Sequence, residues 1–294
     1  MRSVFVTGHT GYIGSAICTA LLEAGCSVCG LTTRNGGKIR LGADDAVESC
    51  IDSVPAVDAI VHCAASKSLA PVDRDLVKTN CLGVLQVLEF GRRRQIRRYI
   101  YLSGTNVYGA PQYLPIDEKH PTAPETLYGA SKLFGEHVMH SARAWGGRAV
   151  CFRVPSPVGG QLPRDRLLSR WISGLLSGKP PDVLGLGSKI QHYVDVRDIG
   201  RAVLLALEQS DSAGTFNIAG NEAISNWKLA ECAASVVAPS LRPELLGRPD
   251  PDDRVRFEFS IEKATRELGF TPRFSISQSI QHTAAFYCEA AAHL

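Results

Sequence analysis

No run of 18 apolar residues occurs in the 294-residue chain, so no segment reads as a membrane-spanning helix. Neither sign of charge dominates: 32 Lys and Arg against 29 Asp and Glu leave a formal charge of +3, too little to imply a nucleic-acid or membrane partner. No disulfide framework is legible, because the nine Cys are odd in number and irregularly spaced, and several sit in apolar runs such as Ile60-Val61-His62-Cys63-Ala64. They read as buried thiols in a reducing compartment. The chain starts at once on a strand-like run, Ser3-Val4-Phe5-Val6-Thr7, without the basic and apolar regions of a secretory leader. A cytoplasmic protein is expected. Nothing repeats at a fixed period, and Gly and Pro are spread rather than clustered, which excludes collagen, coiled coil and wholesale disorder.

What is present is alternation. Strand-length β-branched runs (4–7, 27–31, 59–63, 98–103, 149–154) exchange with helix-period segments (13–24, 77–94, 128–144). Repeated βα units predict an α/β fold, a doubly wound parallel sheet of Rossmann type. After Pro155 the pattern breaks into Pro/Gly-punctuated loops, then resumes with a short helix near 167–176, a strand at 191–196, a helix at 197–208 and a strand at 215–218. This predicts a dinucleotide-binding part, residues 1–155 plus about 191–220, interleaved with a smaller substrate-binding part, 156–190 plus about 221–294. The run Arg92-Arg93-Arg94-Gln95-Ile96-Arg97-Arg98 reads as a solvated helix end, where cations suit the dipole. Cys26 and Cys29 form a lone CxxC and His137 and His140 a lone pair, short of the three or four ligands zinc takes, so no metal is expected.

Thr7-Gly8-His9-Thr10-Gly11-Tyr12-Ile13-Gly14 joins the first strand to the first helix, the setting in which glycines let backbone N–H groups and a helix N-terminus approach a pyrophosphate. The second strand ends at Leu31-Thr32-Thr33-Arg34 with no carboxylate for ribose hydroxyls, and Arg34 can pair with a 2′-phosphate, which favours NADP(H) over NAD(H). Tyr128 and Lys132 stand four apart in a helix-period segment, on one face. A cation beside the phenol favours phenolate, giving a usable acid/base.

Together with further motifs, these residues resemble the extended short-chain dehydrogenase/reductase family, the epimerase/dehydratase group acting mostly on nucleotide sugars. The resemblance spans nearly the whole chain: the glycine turn at 7–14, His62-Cys63-Ala64-Ala65, Thr79-Asn80, Val107-Tyr108-Gly109, Tyr128 to Lys132, Tyr193 to Asp198, Phe216 to Gly220 and Lys263 to Phe270. It implies a homodimer, formed through helices that include the Tyr128 one, with a nucleotide-sugar substrate. The dinucleotide would be held by Gly8, Thr10, Gly11, Tyr12, Ile13, Gly14, Arg34, Ala64, Ala65, Asn80, Tyr128 and Lys132. Tyr128 would exchange a proton with the substrate oxygen, and Lys132 would hold the nicotinamide ribose. The third hydroxyl of the family, three residues before Val107, is here Gly104, and Thr105, with Ser103 as rival, takes its place. Ser156 and Gln191 replace an Asn and an Arg expected at substrate, whereas Tyr193 and Arg248 match pocket positions. The segment between Arg34 and Ala59 is short, with Asp44 or Asp45 at the adenine wall.

Family dehydratases carry an Asp-Glu pair where this chain has Thr105 and Asn106, and family 3,5-epimerase/reductases carry a Cys in this loop, which is absent here. Ketoreduction and 4-epimerisation are left, and the NADP(H) preference read at Arg34 makes reduction of a 4-keto nucleotide sugar by NADPH the expected activity, since an epimerase needs no exchangeable reductant. NAD-dependent 4-epimerisation is the alternative, and a non-catalytic dinucleotide sensor on the same fold is a second alternative.

Overall fold

The computed structural model describes residues 2–31, 41–68 and 70–292. Six parallel strands, β1 (Ser3–Thr7), β2 (Ser27–Leu31), β3 (Ala59–His62), β4 (Arg98–Gly104), β5 (Arg148–Val154) and β9 (Gly214–Asn217), form the main sheet in the order β2-β1-β3-β4-β5-β9. The chain moves outward from β1 in both directions. This reversal opens a crevice at the carboxyl ends of β1 and β3, where open α/β sheets bind ligands.

Side-chain alternation explains why both faces are covered. Ile100 and Leu102 of β4 join Val4, Val6, Val150 and Phe152 on one face, against Ile17 and Leu21 of α1 (Tyr12–Glu23) and Ile199 and Val203 of α7 (Val196–Glu208). Tyr99 and Tyr101 point the other way and join Phe5, Ile60 and Cys151, against α2 (Ala46–Ser53), α4 (Gly83–Arg93) and α5 (Leu127–His140). A strand buried on both faces loses the polar side of its period and keeps only the apolar run.

The helix expected over 77–94 is three pieces: α3 (Arg74–Val77), a π turn at Lys78–Leu82, and α4. The Arg run closes α4, where Arg93 pairs with Glu48 of α2 and Arg94 donates to the Val54 carbonyl.

Residues beyond Pro155 build a second body. It comprises a three-stranded sheet, β10-β8-β6, from β6 (Ser156–Val158), β8 (Ile190–Asp195) and β10 (Ala223–Ser225), and a pair formed by β7 (Asp182–Val183) and β11 (Glu244–Leu245). Its own core lies among Leu168, Trp171 and Ile172 of α6 (Leu167–Leu176), Leu229 and Ala233 of α8 (Asn226–Val237), and Ile280 of α10 (Ile276–Ala292). The segment 191–195, expected with the main sheet, pairs in this small one, while α7 and β9 return to the large sheet and α9 (Glu262–Leu268) packs beside β9. All nine cysteines are free thiols. Among the described residues no helix is long and apolar enough to cross a membrane.

Candidate active site

The turn after β1 is a cradle shaped by missing side chains. Gly8 has φ +68°, and a Cβ there would lie 2.7 Å from the Ala64 nitrogen of the loop after β3. A Cβ at Gly14 would lie 2.1 Å from the Gly8 carbonyl oxygen. The turn closes with Gly11 N–H on that same carbonyl at 2.9 Å, and α1 begins at Gly11 without a side-chain cap or an acidic first turn. Open N–H groups at this end suit a pyrophosphate. The cradle therefore fits a dinucleotide, with Gly8, Gly11, Gly14 and Ala64 forming its floor. Thr7 Oγ1 ties the two loops together, accepting from Ala64 N–H at 3.3 Å and sharing a hydrogen bond with His62 Nδ1 at 2.6 Å. Tyr12 donates its hydroxyl to the Gly159 carbonyl at 2.9 Å, fixing α1 to the second body, and burial holds its phenol protonated. Thr10 and Ala65 are exposed at the cradle's rim.

Helix α5 starts at Thr126, whose hydroxyl accepts from Gly129 N–H at 3.0 Å. This fixes the turn that carries Tyr128. Burial raises the Tyr128 phenol above the ordinary tyrosine value, and the cation countering that rise is Arg166, at the start of α6. Lys132 is buried, and desolvation pushes its ammonium down to about 8, with Cys63, Glu136 and Cys151 opposing the shift. Its Nζ lies 4.5 Å from the centroid of the Tyr101 ring.

Asn80, expected at the cofactor, engages its amide with protein. Its Oδ1 accepts from Ser66 N–H at 2.7 Å, and its Nδ2 donates to the Ser66 carbonyl at 2.9 Å and to Ser131 Oγ at 3.0 Å. Ser131 in turn donates to the Tyr128 carbonyl at 2.7 Å. Asn80 thus clamps the loop after β3 to the first turn of α5, and the π turn around it presents the amide to both.

The two rival hydroxyls part company. Ser103 is buried and donates to Glu136 Oε1 at 2.6 Å, and Glu136 is held in two-pronged fashion by Arg153, at 3.0 and 2.7 Å. Thr105 opens a short 3-10 turn, Thr105–Val107, half-buried, and its hydroxyl makes no hydrogen bond with the described residues. At Gly104 a Cβ would meet Asn106 Oδ1 at 3.5 Å and the Val154 carbonyl oxygen at 3.7 Å, ordinary contacts. The missing side chain is not a steric necessity.

A cavity of about 440 Å³ lies over the ends of β4 and β5. It brings together Ile13, Ser103, Thr105, Tyr128, Ser156 and Gln191 from the expected set. It is also lined by Asn106 and by Lys67, Arg166, His192, Phe257 and Phe259, the last five of which carry no signal in the sequence reading. Tyr193 lies instead at a separate small cavity of about 50 Å³ with Asp195 and Ser279. Arg248 is exposed and outside the large cavity, with its carbonyl accepting from Gly185 N–H at 2.8 Å. Asp45 precedes α2 and Asp44 is exposed. Arg34 lies outside the described residues.

Residues 4–219 match the NAD dependent epimerase/dehydratase family. The chain is 28% identical over 320 residues to a dTDP-glucose 4,6-dehydratase of Streptomyces niveus, covering 97% of this chain and 92% of that one. To a UDP-glucose 4-epimerase of Streptococcus mutans it is 28% identical over 317 residues, covering 95% and 94%. Its fold is that of a UDP-glucose 4-epimerase from Thermotoga maritima solved with UDP-glucose, at TM-score 0.87, 24% identity and coverage of 98% and 99%. The glycine cradle, the Tyr128 and Lys132 pair and the match over 4–219 lead to one conclusion: the chain belongs to the NAD dependent epimerase/dehydratase family and is an enzyme of the extended short-chain dehydrogenase/reductase type.

Proposed function

We propose that the enzyme is a nucleotide-sugar 4-epimerase working on a retained nicotinamide dinucleotide. The observation carrying this reading is Tyr128 on the wall of a cavity of about 440 Å³ that also takes in Thr105 and, from the helix after the glycine turn, Ile13. The relatives at 26 to 29% identity, epimerases prominent among them, weigh toward epimerisation rather than the reduction favoured by the sequence alone. Dehydration lacks its acid and base, since Thr105 and Asn106 stand where the dehydratase pair would be.

When bound, the dinucleotide supplies the oxidation and re-reduction of the sugar carbon. Tyr128 takes the proton from the 4-hydroxyl and returns it to the ketone oxygen after the sugar has turned over in the cavity. Thr105 holds that oxygen through its free hydroxyl, and Lys132 holds the ribose. Ser156 and Gln191 take the nucleotide sugar from the β6 and β8 side, whereas Tyr193 and Arg248 lie outside this cavity and have no part in the reading.

NADPH-dependent ketoreduction is the second reading. It is favoured by Leu31-Thr32-Thr33-Arg34, which offers a guanidinium and no carboxylate at the end of β2. Conversion of UDP-glucose to UDP-galactose without added reductant supports the epimerase, and consumption of NADPH on a 4-keto nucleotide sugar supports the reductase.

The two bodies are assigned as dinucleotide and substrate domains. A homodimer through these helices is part of the same reading, supported by the exposed apolar side chains Val77, Leu82, Leu85 and Phe134 along the α3 to α4 segment and α5. A cytoplasmic location is the reading that nine irregularly spaced cysteines support.

A further inference from the structure

Lys132 is carried by α5 and buried behind the cavity lining, and the group that receives its ammonium is on β4. The Tyr101 ring, 1% exposed, lies 4.5 Å from Lys132 Nζ. The same ring stacks on the His62 imidazole, at 5.6 Å between centroids and 17° between planes. His62 is bonded in turn to Thr7 at the lip of the glycine cradle. At the other end, the Tyr101 hydroxyl rests on Gly135, where a Cβ would lie 2.2 Å from it. Gly135 is one helical turn after Lys132 on α5. The ring is therefore fixed by its strand, by His62 and by the helix that carries the lysine.

A desolvated ammonium over an aromatic face is held by the ring quadrupole. With Lys132 pushed down to about 8 and the phenol pushed up, the ammonium is the first of the pair to lose its proton as pH rises. Arg166, at the start of α6, is the cation that acts on the Tyr128 phenol from the second body, and whatever favours the charged form of Lys132 decides whether a second cation stands one turn away on α5. His62 does not compete, because burial and the Lys132 charge push it down to about 3 and leave it neutral. The other titratable groups facing Lys132 are Glu136 on its own helix, Cys63 after β3 and Cys151 on β5. Cys81, from the π turn, faces Tyr101.

We propose that Tyr101 is a positioning residue of the acid/base pair: its ring seats the Lys132 ammonium, and the His62 stack ties that seat to the dinucleotide cradle. This rests on the reading that Tyr128 and Lys132 carry the proton transfer. The test replaces Tyr101 with Phe and then with mono-, di- and trifluorinated phenylalanines in the full-length enzyme with its dinucleotide. Fluorine drains the ring's negative face with little change of shape.

Tyr101→Phe is expected to keep the parent pH profile. Across the fluorinated series, the alkaline limb of the kcat profile should then move stepwise to lower pH, by about one unit in all. The Nζ resonance of Lys132, titrated by NMR without substrate, should move in the same order. A limb and a resonance that stay fixed across the series, with dinucleotide binding intact, would overturn the proposal. Tyr128→Phe, assayed alongside, separates the failures. Parent turnover in that variant overturns the acid/base reading and the proposal with it, whereas a dead Tyr128→Phe with a flat fluorination series overturns only the role of Tyr101.

Discussion

Ser103 donates a hydrogen bond from its hydroxyl to Glu136 Oε1 at 2.6 Å, inside a network closed by Arg153, while two residues on Thr105 keeps its hydroxyl for the cavity. The two side chains therefore fail differently when removed. Ser103→Ala withdraws a donor from a buried carboxylate and should cost about 1–3 kcal/mol of stability, seen as a lower Tm, with a modest effect on kcat. Thr105→Val should leave Tm near the parent and lower kcat at least about tenfold. The reverse pattern would assign the substrate hydroxyl to Ser103.

Gly104→Ser tests the departure from the family pattern directly. Its backbone is extended at φ −146°, and a Cβ meets its neighbours at ordinary distances. The variant should fold as the parent does and restore turnover to Thr105→Val. A Tm drop of more than about 5 °C would mean that the loop has no room for a side chain.

Tyr128→Phe removes one transferable proton and little else. Dinucleotide affinity should stay within about twofold, with kcat down by about 10²- to 10⁴-fold. Stopped turnover with lost dinucleotide binding would instead indicate a damaged fold.

Stability should fall in mild acid because His62 is buried neutral. Its folded pKa, pushed down to about 3 by burial and then by Lys132, lies below the unfolded value of about 6.5. The unfolded chain thus binds the proton first, and stability rises with pH across this window. Between pH 7 and pH 5 the loss is about 2 kcal/mol for this group. Denaturant titrations of His62→Gln at both values should show a correspondingly smaller pH dependence, and an equal dependence in parent and variant would show that His62 is not the group responsible.

Much of this site was legible in the sequence because its parts are local. The glycine turn, the i, i+4 pair on α5 and the strand runs each report a backbone geometry that neighbouring residues impose. Tertiary partners were not legible. Nothing near Ser103 announces that Glu136, 33 positions on, accepts its hydrogen bond. Arg166 reaches Tyr128 across the two bodies, and no local pattern marks it. The helix over 77–94 was read as continuous because its apolar period persists through the π turn, which exists to hand the Asn80 amide to Ser66 and Ser131. Segment 191–195 has the same strand signal whichever sheet it joins, so its pairing with β6 and β10 came from the structure.

The most direct test of 4-epimerisation on a retained dinucleotide uses the purified enzyme with nothing added but the nucleotide sugar. A denatured portion is analysed for released dinucleotide, and the remainder is incubated with UDP-glucose and followed for UDP-galactose. The account predicts near-stoichiometric bound dinucleotide and net epimerisation without external reductant. An enzyme purified empty, inert toward UDP-sugars alone and consuming NADPH on a 4-keto nucleotide sugar would contradict it and give Arg34 its 2′-phosphate.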